Sequence, residues 1–148
     1  MKSKIYKAEN KEDYFDLLLI ADEQREMIER YLKDGTMFVL DNDGVKGEIV
    51  VCDAGSGVLE IKNLAVFPEY RHCGYGRELI AFVCNEYKNR FSSVQVGTGD
   101  SPLTVPFYEK CGFIRSHTVK NFFTDNYGHI IVEDGVVLKD MIYLKRKL

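Results

Sequence analysis

The chain has no apolar stretch that approaches membrane length. Runs such as Leu17 to Ala21 fall far short of the roughly 20 residues a spanning helix needs. Met1 to Lys7 lacks the apolar core of a secretory signal. Cys52, Cys73, Cys84 and Cys111 make no C-x-x-C pair and have no His partner at zinc spacing. A reduced, cytoplasmic protein without a metal centre is therefore expected. Excess positive charge is also missing. The formal net charge is -3 and the pI about 5.6, which argues against nucleic acid as the main partner. No Gly-Lys-Ser/Thr occurs, so a P-loop is excluded.

What is present suits one globular domain over residues 1–148, with 45% hydrophobic and 29% charged residues. Nine Tyr and nine Phe supply a filled core and material for an aromatic pocket. No repeat, linker or low-complexity segment interrupts the chain.

Lys4 to Ala8 alternates as a short strand. Asn10 is placed to cap a helix carrying Tyr14, Phe15, Leu18 and Leu19 on one face. Met27, Ile28, Tyr31 and Leu32 repeat that spacing, and Gly35 is expected to end the second helix as a left-handed cap. Thr36 to Leu40 and Val45 to Cys52 are strand-like, with Asp41 to Gly44 as a hairpin turn. Asp53 to Gly57 turns into a longer strand, Val58 to Phe67. Ser93 to Gly97 follows a helical crossover and should lie parallel to that strand. Val105 to Lys110 is a short helix, with Pro106 tolerable only if the helix starts near Thr104. Glu133 to Val136 is a second hairpin signal, and Met141 to Leu144 a last strand. The order predicts an α/β domain with a mixed, mostly antiparallel sheet flanked by helices.

The most informative stretch joins the Val58 to Phe67 strand to a helix over Gly74 to Arg90. Pro68 stops the strand because it lacks a backbone donor. Gly74 and Gly76 fall where the helix begins. The first N–H groups of a helix have no intrahelical partner, and the helix dipole adds positive charge there. Glycines let an anion approach such backbone closely. Arg71 and Arg77 flank the turn and can pair with phosphate oxygens. A dinucleotide fingerprint does not fit, because Leu79 stands where a third glycine is needed.

Arg71-His-Cys-Gly-Tyr-Gly76 is an R-x-x-G-x-G signature, and with its strand and helix it resembles the acetyl-CoA loop of the GNAT N-acetyltransferase superfamily. Phe107-Tyr-Glu-Lys-Cys-Gly-Phe113 resembles the second signature of that family. The likeness spans roughly Thr36 to Arg115, and the whole chain looks most like small bacterial members labelled IAA acetyltransferase. The resemblance implies acetyl-CoA as co-substrate, held by Ala65, Val66, Arg71, His72, Cys73, Gly74, Tyr75, Gly76 and Arg77. It also implies a β-bulge at Ala65 and Val66, and central strands that splay to admit the pantetheine arm. Asp100, in the glycine-containing end of the second of those strands, joins the cofactor-binding set.

Acetyl transfer to an amine needs a neutral amine, a donor for the carbonyl oxygen and a proton for the departing thiolate. Tyr108 matches the GNAT tyrosine that points at the CoA sulfur; it serves as that acid or packs between helix and sheet. Glu60 corresponds to the base of histone-type members, or is a surface strand glutamate. Glu48, Asp100 and His129 are reserves. The resemblance implies an N-acetyltransferase of a small-molecule amine. A non-catalytic acetyl-CoA-binding module and an acetyltransferase of protein amines are the alternatives. An exposed late strand offers a surface for a homodimer.

Overall fold

The computed structural model describes residues 3–148. Its centre is a seven-stranded sheet in the order β1-β2-β3-β4-β5-β9-β6. Strands β1 (Lys4–Lys7), β2 (Thr36–Asp41), β3 (Val45–Gly55) and β4 (Val58–Val66) form an antiparallel meander. Both connecting hairpins use the left-handed backbone their sequences promise, at Asp43 and Gly44 and again from Gly55 to Gly57. Helix α3 (Tyr75–Tyr87) carries the chain from β4 to β5 (Ser93–Gly99), which lies parallel to β4. Helix α4 (Val105–Lys110) and strand β6 (Ile114–Val119) follow. The closing strand β9 (Met141–Lys147) then inserts between β5 and β6, antiparallel to both.

Helices α1 (Phe15–Ala21) and α2 (Arg25–Leu32) cover one face of the sheet, burying Phe15, Leu18, Ile28 and Leu32 against Val39 and Val50. Helices α3 and α4 cover the other, burying Leu79, Ile80, Val83 and Tyr108 against Ile49, Ile61, Val94 and Leu144. Short α5 (Phe122–Asn126) and the β7 (Val132–Glu133) and β8 (Val136–Val137) hairpin close a satellite cluster of Phe123, Ile131 and Leu138. Strand β6 is a sheet edge exposed along its whole length, with Ile114 74% exposed.

Several local expectations need correction. Asn10 leads into a 3-10 turn, Lys11–Tyr14, and its side chain reaches Asp13 instead of capping a backbone N–H. Gly35 is not left-handed. It is required because a Cβ there would lie 2.6 Å from Val50 Cγ1. Thr104 starts α4 without capping it, since its hydroxyl donates to Gly99 O. Helix α5 was not expected, because five residues carry too little periodicity to register.

The end of α2 is held by a cation. Lys11 Nζ donates to the carbonyls of Leu32, Lys33 and Gly35, the groups a helix leaves unpaired at its C-terminus. Lys11→Met should cost about 1.5–3 kcal/mol, the usual worth of hydrogen bonds to a charged group. The urea midpoint reads this directly, and an unshifted midpoint would show that water replaces the clamp at no cost.

Candidate functional site

The parallel pairing of β4 and β5 runs only from Val58↔Ser93 to Ile61↔Val96. Strand β4 continues to Val66 and β5 to Gly99 without each other. The edge of β4 beyond Ile61 is therefore open towards β5, the splay that the family resemblance implied. The register shift in β4 lies between the Val51↔Ile61 and Val50↔Asn63 pairs, so Lys62 is the extra residue. The bulge expected at Ala65 and Val66 thus sits earlier. Its effect is to turn Asn63 and Ala65 onto the face covered by α1 and α2, while Ile61 and Leu64 face α3.

Below the open end of β4 comes the turn into α3. Its first intrahelical bond is Glu78 N–H to Gly74 O at 3.0 Å. The amides of Tyr75, Gly76 and Arg77 precede it and have no helical acceptor. Gly74 has φ +84°, and a Cβ on it would meet nothing within 4 Å. The glycine is needed for its conformation, and the space beside it is open. Gly76 has a different reason: a Cβ there would lie 3.1 Å from the Phe107 ring, so its hydrogen lets α3 pack on α4. His72 is also left-handed, at φ 64°, a strained conformation typical of functional loops.

The flanking side chains do not all face this cradle. Arg71, His72 and Cys73 are exposed. The Tyr75 hydroxyl accepts from Asn42 Nδ2 at 3.3 Å, tying the helix start to the β2–β3 turn. Arg77 lies beside Cys111, where it pulls down a thiol that burial pushes up. Asp100 is exposed and pairs with Arg115 at 3.6 Å.

Tyr108 is 7% exposed and packs edge-on to Phe107 and Phe113. Burial pushes its phenol well above the ordinary range, and the nearby groups of Cys111, Glu133 and Glu48 push it further. It therefore holds its proton through neutral pH.

On the other face, Glu60 is doubly engaged. Lys62 Nζ donates to one oxygen at 2.8 Å and Gln95 Nε2 to the other at 2.6 Å. Lys62 in turn lies 5.6 Å from the Tyr31 ring centre. Asn63 Nδ2 donates to Leu18 O at 3.1 Å and to the Tyr31 hydroxyl at 3.0 Å. The Tyr127 hydroxyl donates to Asp22 at 2.8 Å, so the tail is tied to the α1–α2 connection. His129 pairs with Glu23 at 3.3 Å, both half exposed. A depression of about 260 Å³ lies beside them, lined by Phe123, Tyr127, Ile131 and Leu138. Phe123 and Tyr127 thus contribute to both the satellite core and a pocket wall.

Glu48, one of the three reserve candidates for the base, has the most unusual environment. It is fully buried on β3, opposite Ala65, and neither carboxyl oxygen has a hydrogen-bond partner among the described residues. Burial drives its carboxyl well above the usual range; the Ala65 amide lies near enough to offset part of that, though outside hydrogen-bond geometry. Its position between Gly47 and Ile49 gives no cue, because strand alternation does not reveal that both faces of β3 are covered.

A mostly antiparallel sheet with one parted parallel pair, an amide cradle at the foot of the gap and a buried tyrosine beside it defines an acyltransferase-type α/β domain. The family comparison is in agreement: residues 33–115 match the acetyltransferase (GNAT) domain. The chain belongs to the GNAT acetyltransferase family. Over 99% of its length it is similar to a GNAT family acetyltransferase from Elizabethkingia anophelis with acetyl-CoA bound, at 33% identity, TM-score 0.92 and 98% of that chain. It is also similar to an IAA acetyltransferase from Bacillus cereus ATCC 14579, at 29% identity and TM-score 0.91, covering 99% and 100% of the two chains. The N-acetyltransferase YvbK of Bacillus subtilis (strain 168) is 29% identical over 92% of this chain and 90% of its own. Among the described residues, no helix is long and apolar enough to cross a membrane.

Proposed function

We propose that the chain transfers an acetyl group from acetyl-CoA to the amine of a small molecule, by direct attack with both substrates bound. The observation that carries this reading is the parted end of β4 and β5 standing over the open amides of α3. The acetyl-CoA seen in the Elizabethkingia neighbour supports the choice of co-substrate.

In this reading the amides from His72 to Arg77 hold the pyrophosphate, with Arg71 as the exposed cation beside them. The open edge of β4 at Ala65 and Val66 orients the thioester. Tyr108 donates to the sulfur as charge develops there. Cys73 and Asp100 border the same cleft from the surface. Glu60 fixes Lys62 and Gln95 and so shapes the acceptor face, each of its oxygens already accepting one hydrogen bond. The exposed β6 edge is the surface on which a second copy would pair, and sedimentation tests that.

Gly74→Ala is expected to weaken CoA binding about tenfold, because an L side chain in the left-handed region costs roughly 1–2 kcal/mol. Calorimetry on wild type and variant measures this. A wild type that binds no CoA would reject the proposed function. A variant with unchanged affinity would reject the cradle as the phosphate site.

A further inference from the structure

Four buried side-chain atoms have no hydrogen-bond partner among the described residues: Gln24 Oε1, Glu48 Oε1, Glu48 Oε2 and Asn63 Oδ1. All four are acceptors. Proteins rarely leave such atoms orphaned, so a group of them of one kind needs an explanation. Three belong to two residues on the same face of the sheet. Glu48 pairs with Ala65 and Val50 pairs with Asn63, which makes Glu48 and Asn63 diagonal neighbours across β3 and β4. Asn63 is 4% exposed and Glu48 0%. The Asn63 amide cannot be turned around, because its nitrogen already donates to the Leu18 carbonyl, which only accepts. Both residues adjoin the stretch of β4 that β5 no longer covers.

Once Glu48 is ionised this surface offers only acceptors and is complementary to a ligand with only donors; a protonated primary amine is such a group, with three N–H and no lone pair. We propose that Glu48 and Asn63 together receive the amino group of the acceptor, Glu48 taking its first proton and the Asn63 oxygen orienting the nitrogen towards the thioester. This rests on the acetyltransferase reading above and deepens it: the acceptor is a primary amine that enters as a cation.

The proton balance closes. The ammonium gives one proton to the Glu48 carboxylate and becomes a nucleophile. The N–C bond forms and the C–S bond breaks. The thiolate takes a proton from Tyr108, and Tyr108 recovers one from the nitrogen as the amide forms. Glu48 keeps that proton and so returns to the neutral form in which it began, the single proton of the net reaction having left when the amine bound. The ionisable groups near enough to act on Glu48 are Tyr31 from α2 and, within the cluster under α3 and α4, Tyr108; Asp22 and Cys52 act in turn on Tyr31, and Glu133 and Cys111 on Tyr108. Lys62 is drawn to Glu60 instead. Because no cation pairs with Glu48 in the free enzyme, the amine supplies it, and a proton is released when the amine binds.

The test uses acetyl-CoA with benzylamine, tryptamine and 1,4-diaminobutane, and the matching alcohols as uncharged controls. Wild type should turn over at least one amine; failure with all three would remove both the function and this site. Glu48→Gln should lose at least 100-fold in turnover while its CoA affinity, measured separately, stays unchanged. That split distinguishes loss of the acceptor site from loss of the enzyme. Amine binding to the CoA complex should release a proton in wild type, read from the buffer dependence of the calorimetric heat, and release none in Glu48→Gln. Glu60→Gln should keep that release. Asn63→Asp, which restores an acceptor at the same place, should retain more activity than Asn63→Leu. If Glu48→Gln fails to fold by circular dichroism, Glu48→Asp serves, because a carboxyl withdrawn by one methylene should raise KM for the amine. Full turnover in Glu48→Gln, an unchanged KM for the amine in Glu48→Asp, or proton release unchanged, overturns the proposal and leaves Glu48 as a buried acid without a catalytic role.

Discussion

Tyr108→Phe is expected to lower kcat by about 10²–10⁴-fold, the usual worth of a positioned acid, with CoA affinity unchanged. The substitution removes one hydroxyl from a side chain that is otherwise packed between Phe107 and Phe113, so the ring contacts survive. The pH profile gives a second readout. Burial and its neighbours hold the Tyr108 phenol above its ordinary value of about 10, so the wild-type rate should not fall on the basic side until above that pH. In the Phe variant this basic limb should be absent. A Phe variant at full speed would remove Tyr108 from the chemistry and leave it as a core residue.

Glu48→Met should make the protein more stable. An unpartnered buried polar group costs about 1–3 kcal/mol, and an apolar side chain of similar length removes that cost. For a chain of 148 residues each kcal/mol is worth about 2–4 °C of Tm. The gain should depend on pH, and its sign follows from linkage. Glu48 has a folded-state value raised above its unfolded one. Between the two values the folded protein binds more protons than the unfolded chain, so wild-type stability falls as pH rises through that window. The window opens at the ordinary glutamate value of about 4.3. The advantage of Glu48→Met should therefore widen from pH 5 to pH 8. Melting curves for both proteins across that range test it, and a constant difference would mean that Glu48 does not ionise at a cost. Stability gained where activity is lost is the pattern expected of a group retained for function.

Much of the domain was legible because its signals are local. The Asp41–Gly44 and Glu133–Val136 turns need left-handed residues and contain them. The α3 start was marked by Pro68, Gly74 and an apolar stripe, and all three act within one turn of the chain. The parallel placement of β5 followed from chain connectivity, since a helical crossover returns a strand in the same direction. Tyr108 could be picked out because its helix carries a recognisable signature.

What only the tertiary structure decided depends on contacts between distant residues. Gly35 and Gly76 look alike in sequence, yet each answers to close neighbours from elsewhere in the chain, Gly35 to Val50, Cys52 and the Tyr31 carbonyl and Gly76 to the Phe107 ring. The bulge falls at Lys62 because β3 and β4 differ by one residue in register, and it decides that Asn63 faces α1. β9 separates β5 from β6, an order no periodicity encodes. Glu60 and Glu48 are both strand glutamates in sequence. Lys62 and Gln95 satisfy the first, while helices on one face and strands on both sides bury the second without a partner. Sequence determined which residues can carry charge; the packing of two layers around one sheet determined which charge was left unpaired.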